Sequence, residues 1–323
     1  MRRLLLILLL LSGVAHAADI TDATGRTVAV PDHVARVLPA GVPAAVLLAA
    51  LAPDLMLGFP NQVSPEARAQ LGPEAANLPA VPHLAGSKED VSEQIRALKP
   101  DLIVDYGDVT PAYIALASST QATLGVPTVL FDGALADIPH VLRVLGVALH
   151  REQRAETLAR LAEAMLALPT PAEKRRVVYL RGTDPWRAAA PGTGVAEVFT
   201  RLGWQVLAPA EGGTFRPMTL PQIAMLDPDV VVFADARMRG VVAGSDAWRS
   251  LRAVRTGQAF VAPALPFGWV EEPPSINRLL GLAWLGGHDP ATLAATFGAV
   301  VYGHAPTTAE VLAVVADTRP LPP

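Results

Sequence analysis

The arrangement of apolar residues constrains the fold of this chain most. Short runs of aliphatic and β-branched residues alternate with helical patterns along almost the whole sequence. Such runs are typical of strands covered on both faces, and strand–helix–strand alternation produces parallel sheets, so the sequence predicts an α/β fold. Strands are predicted at residues 36–38, 55–59, 102–105, 128–131, 177–180, 206–207, 230–233 and 259–261, and helices at 42–51, 92–98, 111–124 and 194–202.

One long helical pattern divides the strands into two sets. Residues 152–168 carry an apolar stripe at helical spacing, and Glu156 and Arg160 lie one turn apart on another face. Two prolines follow and end the helix. We therefore expect an α/β lobe at 18–150, a connecting helix at 151–169 and a second α/β lobe at 170–323, with a ligand cleft between the lobes.

A repeated phrase supports two similar lobes. Residues 94–101 read QIRALKPD and precede LIV, whereas residues 222–229 read QIAMLDPD and precede VVV. In each phrase the proline ends a helix and the aspartate is expected to hold the turn before a buried strand. The phrases indicate a repeated unit, although any helix-to-strand turn in an α/β protein can read in this way.

The first residues predict export. Arg2 and Arg3 precede an apolar run at 4–11, and small residues at Ala15 and Ala17 form a signal-peptidase site, so we expect cleavage before Ala18. The run is too short for a membrane anchor. Residues 1–17 are thus a signal peptide, and the mature chain is expected in the periplasm or secreted.

Charge and cysteine content limit the function classes. Without Arg2 and Arg3 the chain has 24 basic and 30 acidic side chains, a net charge of −6, which argues against nucleic acid or an anionic membrane as a partner. The sequence contains no cysteine, which excludes disulfides and thiol chemistry. The fold must therefore be stabilised by burial alone.

Motifs for catalysis are absent from the sequence. The seven histidines are dispersed, and no HExxH, GxSxG or GxxxxGK[ST] pattern occurs. Gly192-Thr193-Gly194 could form a phosphate loop, but it lacks the lysine, and a tight turn into a helix is favoured. An exported α/β protein of this kind is expected to bind a ligand rather than to act as an enzyme, without a resident cofactor.

Several short phrases occur in a characteristic order: DATGRTV at 22–28, IRALKPDLI at 95–103, GVPT at 125–128, LG at 145–146 and the second-lobe DPD at 227–229. Together they resemble a known family, the periplasmic binding proteins that deliver ferric siderophores, cobalamin, haem and related metal chelates to ABC importers. The resemblance covers essentially the whole mature chain. It implies two Rossmann-like lobes, a rigid connecting helix and a small closing motion.

The resemblance also implies docking onto a membrane permease through one acidic residue on each lobe. Glu93 occupies the first-lobe position, but Pro221 occupies the second. Asp227 or Glu211 could substitute there, and a solvent-exposed helix residue is the alternative interpretation of Glu93.

Residues of the ligand site are expected in the loops after the strands. Arginine binds carboxylate or catecholate oxygens and tryptophan offers a flat face to a chelate, so these side chains predict a pocket for an anionic organic complex. The predicted ligand-binding residues are Tyr106, Arg181, Trp186, Arg216, Arg237 and Trp269. Surface charge and core packing are the ordinary alternatives. His83 and Tyr106 are weaker candidates for direct metal ligation.

A helix start near residue 275 could also contribute. Ser275 is a good N-cap after two prolines, and its helix could hold an anion; a packing joint, with Asn277 and Arg278 bonded to the preceding loop, is favoured.

The leading hypothesis is a monomeric periplasmic receptor for an iron–siderophore complex or similar metal chelate, which it delivers to an ABC importer. Haem, cobalamin, a nickel or cobalt chelate and an oxyanion such as molybdate are alternative ligands. An exported enzyme and a sensor or scaffold without a small ligand are the alternatives from other classes.

Overall fold

The computed structural model describes residues 18–85, 90–183 and 185–322, so the signal-peptide prediction lies outside the described residues. The strands of the first lobe are β1 (Ala18–Thr21), β2 (Thr27–Val30), β3 (Val37–Pro39), β4 (Leu102–Gly107) and β5 (Thr128–Asp132). Its helices are α1 (Val42–Leu51), α2 (Pro65–Arg68), α3 (Pro73–Ala76), α4 (Ser92–Leu98), α5 (Pro111–Leu124) and α6 (Ile138–Ala148).

Helix α7 (Glu152–Leu166) connects the two lobes. The strands of the second lobe are β6 (Arg176–Arg181), β7 (Trp186–Ala189), β8 (Gln205–Val206), β9 (Phe215–Met218), β10 (Val230–Phe233) and β11 (Ala259–Val261). Its helices are α8 (Glu197–Arg201), α9 (Leu220–Leu226), α10 (Met238–Ala243), α11 (Asp246–Arg249), α12 (Arg252–Arg255), α13 (Arg278–Leu285), α14 (Pro290–Val301) and α15 (Thr308–Asp317).

Each lobe has a parallel sheet at its centre, as the apolar runs predict. In the first lobe the order is β3-β4-β5, and β1 and β2 form a separate antiparallel hairpin. In the second lobe the order is β11-β10-β6-β7-β9, with β8 beside the start of β6. The pairs of β6 with β10 and β8 are parallel, whereas β7 and β9 are antiparallel additions. The fold is therefore the expected two-lobe α/β architecture.

Helix packing joins the lobes. Helix α1 is apolar all round and almost entirely buried, as expected for a helix enclosed between other elements. Helix α7 contacts α1, α6 and α13, and its Leu158, Ala162 and Met165 are buried. The largest buried cluster contains residues of both sheets and of α7, so one continuous core lies beneath both lobes.

The connecting helix ends two residues earlier than predicted. The expected pair of Glu156 and Arg160 is present, with Arg160 Nε donating to Glu156 Oε1 at 2.7 Å. Arg143 of α6 also pairs with Glu156, which links α6 to α7. Among the described residues, every helix is too short or too polar to cross a bilayer.

The repeated phrase forms the same turn twice. Lys99 after α4 and Asp227 after α9 both adopt the left-handed conformation, and a Pro-Asp pair follows each. The Asp101 carboxylate accepts the Arg36 N–H at 2.9 Å, and the Asp229 carboxylate accepts the Arg176 N–H at 2.8 Å. These bonds confirm that the aspartates hold the turns before β4 and β10.

Some elements differ from the prediction. Residues 55–59 do not form the predicted strand. Met56 bridges to Val37 and Phe59 bridges to Ala80, and because the two residues pair with different neighbours no continuous ladder forms. The hairpin β1–β2 and the strands β7 and β9 were not predicted. Residues 194–202 begin as a 3-10 turn, Gly194–Ala196, before α8.

Candidate functional site

A cleft of about 870 Å³ lies between the lobes, at the carboxyl ends of the central strands. Loops after β3, β4 and β5 form one wall, and residues of the second lobe form the other. This is the position where ligands bind in open α/β sheets. The lining residues with polar or aromatic side chains are His83, Asp105, Tyr106, Asp108, Thr110, Tyr113, Asp132, Arg181, Thr193, Glu197, Thr200, Thr214, Phe215, Glu271 and Arg278.

Strand β4 carries the buried groups of the first wall. Asp105 is only 5% exposed, and its Oδ1 accepts the Tyr106 N–H at 2.9 Å. Burial raises the pKa of the Asp105 carboxyl to about 6, against the bond from Tyr106, which lowers it. Tyr106 is fully buried, and burial raises the pKa of its phenol to about 12. This wall thus holds a carboxylate in surroundings that disfavour its charge.

Glu271 is the corresponding buried acid of the second wall. It is 2% exposed, accepts the Tyr179 hydroxyl at 3.2 Å and lies 3.1 Å from Arg181 Nε. Burial raises the pKa of Glu271 to about 7 in spite of Arg181. Arg181 also donates to Glu272 at 2.9 Å, and its guanidinium lies 4.7 Å from the centre of the Phe215 ring. Arg181 is therefore held between two carboxylates and an aromatic face.

Arg278 links the two lobes at the base of the cleft. Its Nη1 donates to the Gly194 carbonyl at 2.7 Å and to Glu197 at 3.0 Å, and its Nη2 donates to the Gly133 carbonyl of the first lobe. The Leu135 N–H also donates to Glu197 at 2.9 Å. This ion pair, in which Arg278 is buried and Glu197 is partly buried, thus bonds the backbone of both lobes.

Ser275 forms a second link of this kind. Its hydroxyl donates to the Pro43 carbonyl at 2.8 Å, and α13 begins only at Arg278. The N-cap prediction for Ser275 is therefore wrong, because its hydroxyl is used between the lobes. The favoured packing joint is confirmed for Asn277, which donates to the carbonyls of Gly268 and Pro273 in the preceding loop. It is wrong for Arg278, whose side chain bonds Gly194, Glu197 and Gly133 instead.

The turn at Gly192 and Gly194 closes one side of the cleft. Gly192 has a φ of 76°, a conformation that favours glycine. A Cβ on Gly194 would lie 2.8 Å from Asp108 Oδ1 of the first lobe, so the two walls approach each other closely here. The segment is a tight turn into a short helix, as favoured, and it also lines the ligand cleft.

Three of the predicted site residues line the cleft: Tyr106, Arg181 and His83. Tyr106 contributes from a buried position, with its hydroxyl 3.5 Å from the Gly133 carbonyl. His83 is partly buried, which lowers the pKa of its imidazole. Within the described ranges, no three His, Asp or Glu side chains come together as a metal site.

Two tryptophans predicted in the site lie elsewhere. Trp269 is 1% exposed and packs edge-to-face on Trp284 at 6.3 Å in the core. Trp186 packs edge-to-face on Trp248 at 5.1 Å, against the outer core of the second lobe. Their large apolar surfaces are used in folding, so neither lines the cleft.

Two arginines predicted in the site are also outside the cleft lining. Arg216 donates to the carbonyls of Pro209 and Ala210 and so holds its own loop. Arg237 pairs with Asp235, and its side chain is 75% exposed. The expected cluster of free arginines is thus replaced by local backbone bonds and a surface ion pair.

The carboxylates of the cleft are not among the residues that the sequence predicts for the ligand site. Asp105 ends the apolar run at 102–105, and Glu271 lies in the loop after β11. A charged residue at the carboxyl end of a buried parallel strand was the signal that could have identified Asp105. Arg278 could not be assigned to the cleft because its contacts are distant in sequence.

Comparison with known proteins identifies the family. A family model described as periplasmic binding protein matches residues 45–265. The chain belongs to the periplasmic binding protein family. None of the curated sequences compared with this periplasmic binding protein matches it significantly.

Solved structures share the fold of this periplasmic binding protein. An ABC transporter solute binding protein from Sulfurospirillum deleyianum has a TM-score of 0.82 at 20% identity, covering 92% of this chain and 99% of the other. The molybdate-bound MolA of Haemophilus influenzae has a TM-score of 0.68 at 16% identity, covering 90% and 99%. The vitamin B12 binding protein BtuF of Vibrio cholerae has a TM-score of 0.60 at 20% identity, covering 79% and 96%. Family membership implies a periplasmic protein that binds a solute for an ABC transporter.

Proposed function

We propose that this chain is the receptor of an ABC importer for a bulky metal chelate, an iron–siderophore complex or a chelate of similar size. The observation that carries the proposal is the cleft of about 870 Å³ between the lobes. Pockets for organic ligands measure roughly 300–1,000 Å³, so this cleft has the capacity for a large one.

Size also separates the alternative ligands. A bare oxyanion has the volume of a few water molecules, each roughly 30 Å³, and would leave most of the cleft to solvent. MolA binds molybdate and BtuF binds vitamin B12, but each is similar to this chain in fold only, so neither decides the ligand. Haem, cobalamin and nickel or cobalt chelates therefore remain as alternatives, whereas molybdate is disfavoured.

Aromatic side chains support an organic ligand. Phe215 and Tyr113 line opposite walls, and His83 is nearby on the first lobe. Flat apolar faces bind the organic part of a chelate, and a few polar groups then fix its orientation. Recognition through the chelating molecule, rather than direct ligation of the metal, is thus part of the proposal.

The test is native mass spectrometry with metal analysis on protein isolated from the periplasm of the organism that encodes it. We expect one metal-containing organic adduct per chain. Thr214→Trp, which fills the cleft from an exposed lining position, should abolish the adduct, whereas Thr308→Trp at an exposed site on α15 should retain it. A bound oxyanion, or an adduct that survives Thr214→Trp, would overturn the proposal.

We propose that Glu93 takes part in docking on the importer. Its side chain is 89% exposed on α4 and pairs with Arg96. The corresponding position in the second lobe, one residue before Gln222, is Pro221. Glu93→Arg should leave ligand affinity unchanged and slow uptake, since exposed charges act mainly on association. Normal uptake by the Glu93→Arg variant at low receptor concentration would show that Glu93 is an ordinary surface charge without a role in docking.

We also propose that the signal peptide is cleaved before Ala18. Ala18 is the first residue of β1 and pairs with Val30, so cleavage there leaves the hairpin intact. The intact mass of the exported protein should correspond to a chain that begins at Ala18; a later start would contradict the assignment.

A further inference from the structure

We propose that the cleft selects ligands of zero or positive net charge, and that Asp105 binds a cationic or hydrogen-bond-donating group of the ligand. This inference rests on the proposed function and adds the ligand class and a specificity-determining residue to it.

The selection by net charge is inferred from the charged side chains that line the cleft. Of the described residues that line the cleft, five are carboxylates and two are arginines: Asp105, Asp108, Asp132, Glu197 and Glu271 against Arg181 and Arg278. An anionic chelate would meet a surplus of like charge inside a partly enclosed, weakly screened space. A neutral or cationic ligand meets no such penalty, so these charges argue against the anionic complex that the arginines and tryptophans of the sequence predict.

The two arginines do not offset this surplus. Arg278 is 1% exposed and bonds Glu197 and the backbone of both lobes. Arg181 lies 3.1 Å from Glu271 and 2.9 Å from Glu272, so its single charge faces two carboxylates. An anion that recruited Arg181 would have to compete with both, and would leave Glu271 buried without its partner.

The role of Asp105 in binding a cationic group is inferred from the surroundings of its carboxylate. It is buried at the end of β4 and lines the cleft, and the Tyr106 N–H is the one hydrogen bond that a described residue donates to its carboxylate. No arginine or lysine of the described residues forms an ion pair with it, unlike Asp22, which is buried but bonded to Arg26. A buried carboxylate without a cation is costly unless another group compensates it. A positively charged ligand group would supply that compensation at this position.

This placement identifies a class of chelate. Each hydroxamate group loses one proton on binding ferric iron, so three of them balance the metal charge, and a pendant ammonium makes the complex cationic. Each catecholate loses two protons, so a ferric tris-catecholate is strongly anionic. The charges of the cleft thus favour hydroxamate-type chelates over catecholate-type chelates.

The test compares ligands that differ in charge. The probes are ferrioxamine B, a ferric tris-hydroxamate with a free ammonium group, its N-acetylated neutral form, a ferric tris-catecholate, and the metal-free cation spermidine. Dissociation constants are measured by calorimetry for the wild type, for Asp105→Asn and for the control Asp19→Asn, whose carboxylate is exposed on β1. Asparagine keeps an oxygen for the Tyr106 N–H, so the variant removes charge and little else.

We expect ferrioxamine B to bind best, and acetylation or Asp105→Asn each to weaken binding about tenfold or more, the usual effect of losing a charged hydrogen bond. Asp19→Asn should bind the ligands as the wild type does.

Equal or tighter binding of the tris-catecholate, or full affinity in Asp105→Asn, would overturn the inference while the receptor function stands. Asp105-dependent binding of spermidine alone would support the inference and overturn the chelate function. Binding of none of the probes would contradict the inference, whereas the receptor function would still stand on the adduct found by native mass spectrometry.

Discussion

Asp105 and Glu271 are carboxyl groups in surroundings that disfavour their charged forms. Both are more than nine-tenths buried, and burial raises the pKa of Asp105 to about 6 and that of Glu271 to about 7. Groups with strongly shifted pKa values in a cleft are candidates for function, because burial of a charged form costs stability. Asp105 and Glu271 are therefore candidates for ligand recognition.

Asp105→Asn should stabilise the empty protein above pH 6. The folded-state pKa of about 6 exceeds the ordinary value of 3.8, so the folded state holds the proton more tightly and wild-type stability falls as pH rises through this window. The variant avoids this loss of stability and should gain on the order of 3 kcal/mol in the free energy of unfolding at pH 8, with no gain below pH 4. Urea denaturation at several pH values measures this, with Asp19→Asn as control. A pH-independent difference would contradict the assigned cause.

Arg278→Met should destabilise the protein, because it leaves Glu197 without its cation and the Gly133 and Gly194 carbonyls without their donor. Loss of one member of a fully buried pair costs about 3–5 kcal/mol, and because Glu197 is 22% exposed we expect a cost near the lower end, about 3 kcal/mol. Arg237→Met is the matched control, since its pair with Asp235 is exposed, and its unfolding midpoint should not move measurably. Similar effects of the two variants in guanidinium denaturation would show that the interlobe bonds of Arg278 contribute little.

At the scale of elements, the close packing of α6 on α7 fixes the connecting helix. A Cβ at Gly146 would overlap the Ala155 Cβ, so the two helices approach at this glycine. Gly146→Ala should therefore cost about 1–3 kcal/mol by overpacking. Gly240→Ala on α10 has free space and should be neutral or stabilising by about 0.5–1 kcal/mol, as alanine favours helices. Thermal unfolding distinguishes the two; equal behaviour would mean that α6 and α7 can shift apart.

Several elements were predictable because their apolar patterns and the residues that end them are local in the sequence. The predicted bounds of α1, α4, α5, β10 and β11 agree with the structure. The antiparallel strands β7 and β9 were not predictable, because their pairing with β6 and with each other is a long-range choice. Residues 55–59 are apolar enough for a strand, but Met56 and Phe59 pair with different neighbours.

The candidate site was only partly predictable for a related reason. The sequence indicates which loops follow strands, and Tyr106, Arg181 and His83 do line the cleft. It does not indicate which side of a loop each residue faces. Trp269 therefore suggested ligand contact although it belongs to the core, and the carboxylate of Asp105 was overlooked at the end of an apolar run.

At the scale of the whole molecule, the two lobes are held as one body. The main core is continuous through both lobes, and Arg154 of α7 donates to the Ala50 carbonyl of α1 and to the Val301 carbonyl of α14. Because a packed helix resists bending, ligand binding should adjust loops and leave the lobes nearly in place. Small-angle scattering should give the same radius of gyration, within error, with and without saturating ligand. A clear decrease on binding would contradict the rigid connection.

Hydrogen exchange on protein isolated with its natural ligand, compared with the same protein after ligand removal, tests the central claim most directly. Backbone amides ordered by a bound ligand exchange more slowly. The ligand should protect backbone amides at residues 41–42, 105–110, 192–195 and 214–215 and at Glu271 and Arg278, all of which line the cleft. Protection confined to another surface, such as the α14–α15 region, or no protection in either wall of the cleft, would contradict a ligand bound between the lobes.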